Sequence, residues 1–203
     1  GTVAVGDDVG AAFGSFDEIT DKAEKGGDID DADNGAAEAV TAKWSVATGV
    51  EGLSFDISYG AGTEANDETV TSYALQYTTG GLTAFMGTGT EDSDDEDEDV
   101  STFGLSYAMG PLYVAYESVD NLNGVEDDEM TSFAVQYNYG VGALTIEKGE
   151  VTDADATTLD QEVTAVSASY KIGSVNTYIA TREDQLNGAD LDDTTYIGVE
   201  YAF

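Results

Sequence analysis

The chain has 203 residues, 42 of them acidic and 6 basic, for a formal charge of −36. Such a charge repels phosphates at long range and excludes nucleic acid as a partner. The absence of Cys and His removes disulfides, thiolate and imidazole metal ligands and the ordinary nucleophile–base pairs, so no enzyme is expected. Against disorder stand 41% hydrophobic and 10% aromatic residues. No apolar run is long enough for a transmembrane helix.

Taken in chain order, Gly1–Gly6 reads as the end of a strand, which suggests a mature or truncated product. Residues 7–38 form a connection far longer than the rest, a length that is uncommon unless functional. A first hairpin is expected at 39–48 and 52–60, turning near Gly49 and Gly52. A repeat follows: Thr71-Ser-Tyr-Ala-Leu-Gln-Tyr77, Ser101-Thr-Phe-Gly-Leu-Ser-Tyr107, Thr131-Ser-Phe-Ala-Val-Gln-Tyr137, Thr164-Ala-Val-Ser-Ala-Ser-Tyr170 and Thr195-Tyr-Ile-Gly-Val-Glu-Tyr201. Each of the first four passes through a short Gly-containing turn into a second strand, at 82–88, 112–119, 142–150 and 174–182. Longer acidic connections are predicted at 61–68, 89–99, 120–129, 151–160 and 183–193. Short turns at one end and long loops at the other predict an up-and-down meander of twelve strands.

Within each repeat the alternation has period two. Tyr73, Leu75 and Tyr77 share one face, and Ser72, Ala74 and Gln76 the other. A soluble sandwich would bury the apolar face; a membrane barrel would turn it to lipid and line a wet lumen with the polar one. A closed barrel of this many strands is too wide to fill with side chains. Strands of nine to ten residues also match the roughly 9–11 needed to cross hydrocarbon. Tyrosines at the turn end of strands (Tyr59, Tyr77, Tyr107, Tyr137, Tyr170, Tyr201) suit an interfacial girdle. The predicted fold class is therefore an all-β transmembrane antiparallel up-and-down β-barrel, with Leu75, Leu105, Val135 and Val199 outward.

The last strand, Thr194-Thr-Tyr-Ile-Gly-Val-Glu-Tyr-Ala-Phe203, resembles the C-terminal strand of Gram-negative outer-membrane proteins. The opening Gly1–Gly6 with Ala11-Ala-Phe-Gly-Ser-Phe16 is similar to the strand and constriction loop of general diffusion porins. That resemblance implies a single porin domain over 1–203 in a trimer of 16-stranded barrels, with 1–6 as the end of strand five, 7–38 as the constriction loop and 39–203 as strands six to sixteen. The first four strands would then lie outside this chain. A twelve-stranded barrel closing 1–6 onto 194–203 ranks second, because 1–6 is shorter than a membrane crossing.

The resemblance implies passive diffusion of small hydrophilic solutes across the outer membrane, with acids of the loop set against basic wall residues. It also implies lipid and lipopolysaccharide contacts, and recognition of Tyr201 and Phe203 by the barrel-assembly machinery. The loop residues so implicated are Asp17, Glu18, Asp21, Lys22, Glu24 and Lys25, with a short helical turn expected around Asp17–Lys25. Alternation puts Lys43 on the lumen face as the wall cation, and Arg182 faces the same way. Lumen-phase acids are Asp56, Glu117, Glu147 and Glu200. With so many carboxylates, cation selectivity is expected.

The run Glu91–Asp99 holds eight acids in nine residues and reads as a solvated exterior loop. The sharper reading gives it weak Ca²⁺ or Mg²⁺ binding at Asp94, Asp95, Asp97 and Asp99. No cofactor is required. An EF-hand over Asp28–Gly35 fails, because Ala32 falls where a ligand belongs. The alternatives in other classes are a non-conducting surface or adhesive barrel displaying acidic loops, and a soluble acidic β-protein.

Overall fold

In the computed structural model the described residues are 1–5, 40–61, 69–92, 97–120, 129–152, 160–186, 189–191 and 193–201. They form thirteen strands: β1 (Thr2–Val5), β2 (Val40–Ala47), β3 (Leu53–Ala61), β4 (Thr69–Thr79), β5 (Leu82–Asp92), β6 (Asp97–Met109), β7 (Leu112–Asp120), β8 (Glu129–Asn138), β9 (Ala143–Thr152), β10 (Gln161–Ile172), β11 (Val175–Leu186), β12 (Ala189–Asp190) and β13 (Thr194–Tyr201). Strand order follows chain order from β1 to β12, and β13 also pairs with β11. All described pairings are antiparallel. This is an all-β, up-and-down architecture.

Two compact units divide the chain. The first holds β1–β5 with the start of β6 and the end of β7; the second holds the rest of those two strands and β8–β13.

Period-two alternation dictates the register within each unit. In the first, Lys43, Ser58, Ser72 and Gly89 are successive cross-strand partners on one face, and Phe55, Leu75 and Met86 on the other. In the second, Glu147, Ala165, Arg182 and Thr194 form one such row, and Leu144, Ala168, Ile179 and Ile197 a row on the opposite face. The turns are tight because glycine takes the left-handed region. Gly80 (φ 54°) and Gly81 (φ 88°) supply both positive-φ positions of a two-residue hairpin, and Gly110 precedes Pro111 in another.

The two faces are inverted relative to a soluble protein. Large apolar side chains are exposed: Leu105 at 42%, Val199 at 70%, Ile197 at 80%, with Leu75 and Phe133 beside them in phase. Val135 is half-buried, in the same phase as exposed Phe133 and Tyr137. Most of what is buried is small or polar, such as Ala74, Ala134, Ala165, Ala180, Ser58, Ser72, Thr145 and Ser167, with Phe85, Val100, Val119, Met130 and Val163 as the larger apolar side chains among them. Soluble domains do the reverse and rarely expose large apolar patches.

Larger side chains on the small-residue face seat themselves over glycine. A Cβ built on Gly104 would fall on the ring of Phe85, which is fully buried, and one on Gly198 would fall on the ring of its partner Tyr178. Gly104→Ala should therefore destabilise by about 1–3 kcal/mol through overpacking, although alanine alone would stiffen the chain. A denaturant titration reads the sign directly.

The structure corrects several boundaries. Strand pairing runs further into the acidic connections than expected: β5 ends at Asp92 and β6 begins at Asp97, so much of the 91–99 run is strand rather than loop. Likewise β11 continues to Leu186. A carboxylate on a strand that stands in water costs little, and the backbone ladder goes on pairing. The thirteenth strand arises because Ala189–Asp190 and Thr194–Tyr201 lie along the same strand β11, with a one-residue change of register between them (Gln185↔Asp190, then Arg182↔Thr194). Thr194–Tyr201 is the expected last strand, whereas Ala189–Asp190 falls in the 183–193 connection expected from the sequence and is set off from it by a bulge. Tyr59 is also re-placed. It pairs with Thr71, whereas Tyr77 pairs with Leu53, so Tyr59 stands at the long-connection end, opposite to Tyr77.

Candidate pore-lining face

The small and polar face carries the candidate residues. In the first unit it is built by β2, β3 and β4, whose alternation directs Lys43, Ser58 and Ser72 to one side while Trp44 and Tyr73 turn to the other. Lys43 is half-buried beside Ser58 in register. Ser58 and Ser72 hydrogen-bond through their hydroxyls, and they are 1% and 0% exposed. Asp56 lies on the same face, paired with Ser45 and Ala74.

In the second unit Glu147 is 4% exposed and sits in register with Ala165, and Glu117 is 7% exposed. Both belong to the small-residue phase of their strands, which alternates with exposed Tyr116 and Ile146. Glu200 is exposed and pairs with Asn176. Arg182 shares this face, and its Nε donates to both carboxylate oxygens of Asp184 at 2.8 and 2.9 Å. Two residues apart on one strand, they project the same way, so the guanidinium's charge is offset locally. Sequence reasoning noted Arg182 but missed Asp184; their spacing of two was the available signal.

Asp17, Glu18, Asp21, Lys22, Glu24, Lys25, Asp94, Asp95 and Phe203 lie outside the described residues, as does the expected helical turn at Asp17–Lys25. Asp97 opens β6, Asp99 is exposed on the same strand, and Tyr201 ends β13 on the apolar face beside Val199 in phase. Among the described residues no group of three or more carboxylates converges to hold a metal ion.

The opposite face carries aromatic side chains at two levels. Tyr77, Tyr107, Tyr137, Tyr170 and Tyr201 stand near the tight turns, and Tyr73, Phe103 and Phe133 stand four residues further along β4, β6 and β8. Beyond them come Thr71, Ser101 and Thr131, then Asp99 and Glu129. β6 and β8 thus read apolar, hydroxyl, acid in order toward the long connections, and β4 reads apolar, hydroxyl, hydroxyl through Tyr73, Thr71 and Thr69.

No protein-family model matches the sequence. No curated protein matches it either. A search of solved structures gives 18 matching chains. Among them is a porin refined at 1.8 Å resolution, superposing with a TM-score of 0.65 over 82% of this chain at 18% sequence identity. The chain has the fold of a porin. It is similar to 63% of that porin's length, less than two thirds. At this identity the likeness concerns the fold, and the porin-like barrel topology agrees with the up-and-down strands described above.

Proposed function

We propose that the chain is part of an outer-membrane porin that passes small hydrophilic solutes and ions by passive diffusion, with a preference for cations. The observation that carries this reading is the inverted facing. Strands of 8 to 13 residues, β1 and β12 apart, set most of their large apolar side chains outward and mainly small, hydroxylic and acidic ones inward, Phe85, Val100, Val119, Met130 and Val163 being the exceptions. Lipid is the solvent that favours such an arrangement, and the polar face then lines a lumen. The tyrosines near the tight turns fit one edge of the hydrocarbon layer, and the second aromatic level, four residues or about 13 Å away along the strand, lies within a layer about 25 Å tall.

In this reading residues 1–203 form one porin domain of the 16-stranded, trimeric kind, assembled through a C-terminal signal at Tyr201 and Phe203 and bounded by outer-membrane lipid and lipopolysaccharide. It does no covalent chemistry. Residues 7–38 act as the constriction loop, with Asp17, Glu18, Asp21 and Glu24 as its acids and Lys22 and Lys25 as its bases, opposite Lys43 on the wall. Asp56, Glu117, Glu147 and Glu200 add negative potential along the lumen, which concentrates cations. Asp94, Asp95, Asp97 and Asp99 hold Ca²⁺ or Mg²⁺ weakly at the mouth.

Arg182 contributes little to anion attraction, because Asp184 neutralises it. Arg182→Gln leaves the part-buried Asp184 carboxylate uncompensated, so the cation-to-anion permeability ratio should rise and stability should fall by about 1–3 kcal/mol. Reversal potentials in a salt gradient measure this. The proposal as a whole is tested by purification and planar-bilayer recording. A porin needs detergent and produces conductance steps; a protein that is fully soluble without detergent contradicts the membrane assignment, and one that inserts but stays silent contradicts the channel.

A further inference from the structure

The apolar face of the first unit has a groove of about 480 Å³ with unlike ends. Its floor is made by Leu75, Met86 and Phe103, all exposed, and its far end by Ser101, Ser118 and Asp120. The polar end is organised. Ser101 donates through Oγ to Oδ2 of Asp120 at 3.4 Å, and Thr88 is turned away, donating to the Val100 carbonyl at 3.1 Å. No described cation pairs with Asp120: its described contact is with Ser101, which leaves Oδ1 open to another donor. Asp120 is exposed, and at the edge of an apolar groove its carboxylate offers a charged acceptor to a ligand's donor.

We propose that this groove binds a membrane lipid carrying a primary ammonium in its headgroup. The acyl chain lies along Leu75, Met86 and Phe103, and the ammonium donates to Asp120 and the Ser118 hydroxyl. This rests on the membrane reading above. Charge complementarity selects the occupant. The groove end presents acceptors and one negative charge, which suits an ammonium and repels a phosphate presented alone. A phosphate bridged by a metal ion is the less favoured arrangement, since no three carboxylates converge here among the described residues.

The test uses the intact protein reconstituted in vesicles of phosphatidylethanolamine, phosphatidylcholine and phosphatidylglycerol in equal parts with matched acyl chains. Lipid retained after detergent release is counted by native mass spectrometry. Phosphatidylethanolamine should be enriched by about fivefold over phosphatidylcholine, as expected for one charge pair at an interface. Phosphatidylcholine is also cationic but has no N–H to donate. Asp120→Asn should abolish the enrichment, Asp120→Glu should keep it, and Glu183→Gln, an exposed acid of the second unit, should leave it unchanged. No enrichment in the wild type, enrichment that survives Asp120→Asn, or a preference lost equally in Glu183→Gln overturns the site while leaving the channel reading intact. Failure of the wild-type protein to enter vesicles at all overturns the membrane reading, and this proposal with it.

Discussion

Leu105→Arg is expected to destabilise the membrane-folded protein by about 1–3 kcal/mol, because Leu105 lies two residues inside the Tyr107 level, between the interface, where an arginine costs little, and the midplane, where it costs about 2–4 kcal/mol. Leu105 is well exposed, midway between Phe103 and Tyr107 on β6 and in the same exposed apolar phase of that strand. In water an exposed leucine replaced by arginine changes stability by no more than about 0.5 kcal/mol. The two solvents therefore give different answers to one substitution. Glu200→Arg is the paired control: it sits on the opposite face, exposed, where an arginine reaches lumen water. Denaturant titration of the protein folded into vesicles should show a clear loss for Leu105→Arg and little for Glu200→Arg. Equal, small effects would return the protein to the soluble class.

Replacing Asp17, Glu18 and Asp21 together with Asn or Gln should lower the cation-to-anion permeability ratio by roughly threefold or more at low salt. The reason is position as much as number. A charge acts on a passing ion only within about a Debye length, near 10 Å at 0.1 M salt, so acids at the narrowest point dominate. At about 1 M salt the screening length falls to about 3 Å and the difference should fade. Substituting the acids of 91–99 should instead change mainly the conductance at low salt, because a charged mouth alters how many ions arrive. An unchanged ratio after the three loop substitutions would remove 7–38 from the constriction.

The facing of the strands was legible in the sequence because period two leaves no freedom: once Ser72 and Ala74 share a side, Tyr73 and Leu75 must take the other. The up-and-down topology was legible for a similar reason, since short glycine turns alternate with long acidic connections. What escaped needed the register between strands. The seating of Phe85 over Gly104 and the pairing of Ser101 with Asp120 depend on which residues stand opposite, and local spacing does not fix that. Tyr59 was misassigned because strand ends were named from a shared tyrosine rather than from which connection is short. The turn at 49–52 precedes β3, so the end of that strand faces the long connection. Acid-rich segments such as 97–99 were read as loops from composition, yet the pairing of β6 carries on through them. Of the candidate site, the wall positions Lys43, Asp56 and Glu147 follow from phase, whereas the loop acids depend on the family resemblance.

Recording the purified intact protein in a planar bilayer under a KCl gradient tests the central claim most directly. Stepwise conductance is expected, with a reversal potential of the sign set by potassium passing more readily than chloride, and a preference that weakens as both compartments approach molar salt. An inserted protein that gives no steps, or steps that favour chloride, would contradict it.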